Sequence, residues 1–209
     1  MRRILAPALA GVLALAACSP SPHVVAPATT TAITTTSSSA PPTTTTTATT
    51  EPPTTTTIDP GVLPQTTARP SGADPAFLAR VGLLWQAVVT GDAATALPAF
   101  FPEAAYRQVK AIANPDADWH QRLIRLYDLD IAGLRARVVG RAAALVGVDV
   151  PDARATWVLP GAEYNKGSYW RVYGTTVHYT VAGRPAAFPV MSLISWRGQW
   201  YVVHLVTPP

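Results

Sequence analysis

The chain has one cysteine, Cys18, in 209 residues. A single thiol cannot close an internal bridge, so any folded part must be held by its core alone. Charge is sparse as well. Asp, Glu, Lys and Arg make up 13% of the residues, about half the usual share of ~25%. Setting aside Arg2 and Arg3, the 16 basic residues fall to 14 against 12 acidic ones, a balance of +2 with no basic cluster. That argues against nucleic acid, which needs a concentrated basic face. The stretch from Ile4 to Ala17 is apolar, Gly or Pro throughout. It falls short of the ~20 residues that span a bilayer, and no other apolar run is as long. Glycine-rich phosphate loops, a nucleophile elbow and zinc-spaced histidines are all missing, so no metal or cofactor is expected.

What is present at the amino terminus is a three-part pattern: Arg2-Arg3, the apolar stretch, then small residues. That is the layout of a secretory signal. The quartet Leu15-Ala16-Ala17-Cys18 resembles the lipobox of bacterial lipoproteins. The resemblance implies that Cys18 receives a diacylglycerol and that residues 1–17 are cut away as a signal peptide. It places the chain at the extracytoplasmic face of the cell membrane, with the membrane as first partner. One acyl chain binds a bilayer only marginally, whereas two or more hold it, at about 0.8 kcal/mol per buried methylene.

Residues 18–73 are dominated by threonine, serine and proline, as in "ATTTAITTTSSSAPPTTTTTATTEPPTTTT". Such a segment buries too little apolar surface to offset its ordering entropy and is expected to be a disordered tether. About 50 residues of this kind reach ~40 Å as a coil and well over ~100 Å as polyproline-like chain. Ser/Thr-rich stalks of this type are also O-glycosylation substrates.

All six tryptophans and all seven tyrosines lie beyond residue 84, so the tract from 74 to 209 reads as one globular domain. Its first half reads as helix. Asp74-Pro75 is a cap followed by proline at the first helical position, and Phe77, Val81, Leu84, Trp85 and Val88 form one apolar stripe. Gly91 ends that helix and Asp92 caps a short one through Leu97. Residues 102–113 form a third. Residues 116–139 form the longest, with Asp118 and Gln121 at capping-box spacing and Leu123, Tyr127, Ile131, Leu134 and Val138 on its buried side.

The second half reads as strands at 143–150, 155–159, 168–181, 187–196 and 199–206. Arg197-Gly198 is a two-residue hairpin loop. That loop sets Ser195 opposite Trp200, Leu193 opposite Val202 and Met191 opposite His204. Both faces of this hairpin are apolar, where a half-exposed sheet would alternate. The sheet should therefore be covered twice, by helices and by another layer, the tail or a second copy, so a homodimer through the sheet face is one expectation.

The fold class expected is α+β, with N-terminal helices on a curved antiparallel sheet. "LLWQAVVTGDAATALPAFFP" resembles the opening of the nuclear transport factor 2-like cone fold. "FFPEAAYRQVKAI", "WVLPGAEYNKGSYWRVYG" and "SLISWRGQWYVVHL" are similar to stretches of actinobacterial exported lipoproteins. In cone folds the helices close over the sheet and leave a pocket. The resemblance implies that isomerases, dehydratases and cyclases of this type use acidic, His and Tyr residues there. Asp128, Asp130, His120, His178, His204, Tyr106 and Tyr173 are the available candidates, but no catalytic motif can be placed on them residue by residue. Asp128 and Asp130 read as solvated helix residues, and His204 as a hydrogen-bonded, half-buried imidazole.

Trp119, Tyr164, Tyr169, Trp170, Tyr173, Trp196 and Trp200 are core or platform aromatics. The Gly-flanked "GAEYNKGSYW" turn presents Tyr164, Asn165 and Lys166 as binding groups. Together with Trp170, Tyr173, His178 and His204 these make the candidate ligand site. Three functions stay open: a non-enzymatic module binding an envelope protein, polymer or small apolar ligand; a cone-fold enzyme; or an assembly part.

Overall fold

The computed structural model describes residues 58–206. The readings for the signal segment, for Cys18 and for most of the Thr/Pro tract lie outside these residues. No described helix is long and apolar enough to cross a membrane.

Helix α1 spans Pro75–Thr90. Asp74 accepts from the Ala76 and Phe77 amides at 2.8 and 3.3 Å, satisfying donors that the first turn leaves unpaired. Gly91 closes the helix in the left-handed region, φ 81°, with its amide on the Ala87 carbonyl. The buried stripe is Phe77, Val81, Leu84, Ala87 and Val88. Asp92 then caps a 3-10 turn, Ala93–Ala99. Helix α2 is Glu103–Val109, shorter than expected because the chain leaves it at Lys110 to meet a loop.

Helix α3, Pro115–Asp118, begins one residue before the expected start, but its cap is Asn114 and not Asp118. Asp118 therefore caps nothing, and its carboxylate is released for side-chain partners. The chain continues through a π turn, Trp119–Ile124, into α4, Arg125–Ala136. Leu123, Tyr127, Ile131, Leu134 and Val138 are buried as their spacing requires. Asp128 is exposed, but Asp130 is buried and accepts from the Val206 amide at 2.9 Å. The expectation of a solvated Asp130 fails because the chain beyond the last strand returns over α4.

The strands are β1 Ala143–Asp149, β2 Thr156–Val158, β3 Tyr169–Val181, β4 Arg184–Trp196 and β5 Gln199–His204. All pairings are antiparallel, in the order β1-β3-β4-β5 with β2 also on β3. The fold class is α+β. Strand β4 starts earlier than expected, at a turn through Ala182 and Gly183, φ 49° and 74°. Pro185 and Pro189 sit where β4 has β3 but not β5 beside it, so their missing N–H groups cost no ladder bond on the open side.

The β4–β5 loop is Arg197-Gly198, and Ser195 faces Trp200 and Leu193 faces Val202 as expected. The next pair differs: Ser192, not Met191, faces His204. Strand β5 carries one extra residue there, Val203, which forms a bulge. Bulges bend a strand and re-aim side chains.

Both alternating sets of side chains from Ser192 to Trp196 are buried. Part of the cover comes from residues 59–72, which the composition reading assigned to the tether. Trp196 Nε1 donates to the Pro60 carbonyl at 2.8 Å, Gln65 Nε2 to Ser195 O at 2.8 Å, and Trp170 Nε1 to Thr67 O at 3.1 Å. Gly72 N donates to Asp152 at 2.7 Å. A Cβ at Gly61 would lie 3.0 Å from that of Pro102, so only glycine lets this strap approach α2 so closely. Its few apolar residues sufficed because its bonds are made by backbone groups and the Gln65 side chain, which composition does not reveal.

Candidate ligand-binding site

Between α2, the π turn and the β3–β4–β5 strands lies a two-lobed cavity. Its inner lobe, ≈ 160 Å³, is walled by Tyr169, Tyr173, Met191, Ile194 and Ser192. The outer lobe, ≈ 390 Å³, is walled by Tyr106, Ile112, Asp118, Arg122 and Tyr164. Lys110, Glu163, Val203 and His204 line both. Adjacent residues on a regular strand point to opposite faces. Val203 and His204 share this cavity because the β5 bulge breaks that alternation.

His204 Nδ1 lies 2.9 Å from the Ser192 hydroxyl. Burial, then Arg122 and Lys110, push the imidazole down to about 4, with Asp130 opposing. At neutral pH it is an uncharged ring. If Ser192 donates to Nδ1, the proton sits on Nε2; if it accepts, Nε2 carries a lone pair.

The π turn delivers Arg122 four residues beyond Asp118. The guanidinium grips both carboxylate oxygens at 2.7 Å, and its Nη2 also reaches the Tyr106 hydroxyl at 3.1 Å. Tyr106 donates to Asp118 in turn. Arg122 is the main cause holding Asp118 below its ordinary range, and Asp118 the main cause raising Arg122. Burial, reinforced by Asp118, pushes the Tyr106 hydroxyl far up.

Glu163 is likewise occupied. It pairs with Arg171 and accepts from the Tyr169 hydroxyl at 2.9 Å. Burial raises Tyr169 to about 12. Arg171 stacks 4.5 Å from the Tyr173 ring, and its buried Nε has no bonded partner.

Lys110 differs from Arg122 and Arg171, the other cations of the cavity. No carboxylate of the described residues lies within 4.0 Å of its ammonium. Its nearest ring, Tyr106, is 5.8 Å away. Burial, with Arg122 adding to it and Asp118 opposing from beyond contact distance, lowers its pKa.

Of the residues singled out from sequence, Tyr164, Tyr173 and His204 meet in this cavity, with Tyr106 and Tyr169 from the wider set. Tyr164 is 83% exposed at its rim, with φ 53°. Asn165 is buried, and its side chain bonds Glu163 N, Leu159 O and Gly167 O, all within its own loop. Lys166 is exposed outside the lining, while its amide ties the loop to Val109 O at 2.7 Å. Trp170 packs on Trp157 and under Arg69. His178 pairs with Asp149 at 2.8 Å on the β1–β3 surface, and exposed His120 lies 3.3 Å from Glu103. Trp119 donates to Phe101 O, Trp196 meets Phe101 edge-on, and Trp200 donates to Asp152.

The residues sequence reasoning passed over are Lys110, Asp118, Arg122, Glu163, Arg171 and Ser192. The four-residue Asp118–Arg122 spacing was a readable signal, hidden by treating Asp118 as a cap. Lys110 carried no signal at all.

A second, shallower groove of ≈ 440 Å³ runs past Leu97, Pro98, Phe100, Trp119 and Tyr201. Its polar groups are partly occupied: Arg80 bonds Gln199 and Trp200 O and covers Tyr201 at 4.5 Å, though its buried Nε has no partner among the described residues, and Glu103 pairs with Arg107. The two-lobed cavity, which gathers His204, Ser192 and four tyrosines around Lys110, is the better site. Set against family models, curated proteins and solved structures, the chain matches none of them, so what this cavity holds has to be read from its own residues.

Proposed function

We propose that the chain is a lipoprotein anchored through Cys18 at the extracytoplasmic face of a membrane, whose folded domain binds a small ligand in the two-lobed cavity and leaves it chemically unchanged. The observation that carries the binding reading is the cavity itself. It gathers an unpaired ammonium, an uncharged imidazole and four tyrosine rings, while both lining carboxylates are already held by arginines. Concave, mainly apolar walls with a few polar groups are how proteins hold small molecules. Helices closed over the sheet as in a nuclear transport factor 2-like cone belong to the same proposal. Anchor and tether account for presenting such a domain in the cell envelope.

The test has two arms. Cys18→Ser should release the chain from membranes or leave it unprocessed. Native mass spectrometry of the mature protein should find a small-molecule adduct that Ser192→Trp, filling the inner lobe, removes. Normal membrane retention of the Cys18 variant would sink the anchor. An adduct undisturbed by the tryptophan would sink the site.

The His204–Ser192 contact favours a second reading, an isomerase- or dehydratase-like enzyme with His204 as base. On that reading His204→Gln abolishes turnover; on the first it changes affinity alone.

A further inference from the structure

The geometry points to a small organic monoanion, one carboxylate-class charge on an apolar body, as the occupant of the cavity, its charge seated at Lys110. This rests on reading the cavity as a binding site and adds the class of ligand.

Two of the three cations lining the cavity are matched within the chain, Arg122 by Asp118 and Arg171 by Glu163. His204 contributes no charge at neutral pH. One positive charge is left over, and it belongs to Lys110. An ammonium taken from water without a counter-charge is costly, and an incoming anion recovers that cost inside a medium where Coulomb attraction is stronger than in water. A dianion would leave a charge unmatched, and a cation would meet Lys110 head-on.

The seat has one further donor and one ring nitrogen that donates in the Nε2–H tautomer. Arg122 spends Nε and Nη2 on Asp118 and Tyr106, and its Nη1 bonds no described residue. His204 Nε2 is uncommitted. The rest of the wall is Ile112, Val203, Ile194, Met191 and tyrosine rings, which suits a hydrocarbon or aromatic body running from the outer lobe inward. Lys110 stands at the carboxyl end of α2, where a cation also eases the helix dipole. That role would make it indifferent to ligands, so the experiment must separate the two.

Calorimetric titration of the mature chain with 2-naphthoate and with its neutral isostere 2-naphthamide does so. Naphthoate should bind at least tenfold tighter than the amide. In Lys110→Met the two affinities should converge to within twofold, and Lys110→Arg should keep the preference. Equal affinities in the unmodified protein overturn the anion inference while leaving the cavity reading intact. So does a preference that survives Lys110→Met. Binding by neither probe overturns both. The wild-type comparison needs no variant to fold, so it stands alone if Lys110→Met proves unstable.

Discussion

His204 and Ser192 face one another across β4 and β5, Nδ1 to Oγ 2.9 Å, because β5 fits one more residue than β4 into that step of the ladder. The extra residue, Val203, is what carries His204 round to the cavity. Met191 is displaced from the expected pairing and instead gives its amide to Leu205 O at 2.8 Å. The imidazole is thus held where water is scarce and two cations lie near, and both influences disfavour its protonation.

That placement fixes a pH window. The folded His204 titrates near 4 and the unfolded ring near 6.5. Stability from this group is complete above 6.5 and is lost as pH falls toward 4, because only the unfolded chain takes up the proton. Urea midpoints at pH 7, 5.5 and 4 should fall in that order, and His204→Gln should flatten the fall. Below 3.8 a separate loss follows from Asp118 and Asp74, both held low in the fold by Arg122 and Gln199 respectively.

Asp118→Asn should cost about 1 kcal/mol, the order of one charged hydrogen-bonding partner removed. The cost is modest because Arg122 is 42% exposed and can turn to water. Chemical denaturation at neutral pH measures it, and the difference from wild type should narrow as pH falls below 3.8, because the stability supplied by a carboxylate held low in the fold is lost as it protonates.

Asn165→Ala should cost more, about 1–3 kcal/mol, because it leaves buried backbone groups unpaired. The Asn165 side chain holds the turn that docks on Val109 and Ala111. Amide exchange at Ala111 and Lys166 should quicken in the variant, while exchange in α1 stays slow.

A chain begun at Ala73 should be less stable by at least about 2 kcal/mol, the sum of a few net hydrogen bonds. Trp196 and Trp170 would lose Pro60 O and Thr67 O. Their emission should shift to the red on truncation. Unchanged stability and emission would show that residues 59–72 lie on the surface without holding it.

The helix that opens the domain was legible because its signals are local. Asp74, Pro75, Gly91 and a 3.6-residue stripe lie within one stretch, and each acts on its neighbours. Ser195–Trp200 was legible for the same reason, counted outward from a two-residue turn. The cavity was not. Lys110 has no periodic signature, and its meaning comes from carboxylates that are absent around it in space. The Val203 bulge leaves the apolar run "YVVHLV" looking regular. The strap at 59–72 reads as tether because most of its bonds use backbone groups that every residue owns, with Gln65 alone adding a side-chain amide. Asp118 was seen, but a helix capped by Asn114 rather than by Asp118 changes its task from cap to ion-pair partner.

The strap also has a mechanical consequence. A pull from the amino-terminal side reaches Pro60 first, then Gln65, Thr67 and Gly72, before it loads α1. These contacts lie one after another along the chain, so they open singly, like a zip, instead of sharing the load. Fourteen or so residues would peel off and lengthen the leash by ~45 Å at full extension. The core under α1 stays shut until that slack is gone. If the chain is held on that side, residues 59–72 would give way before the load reaches the cavity.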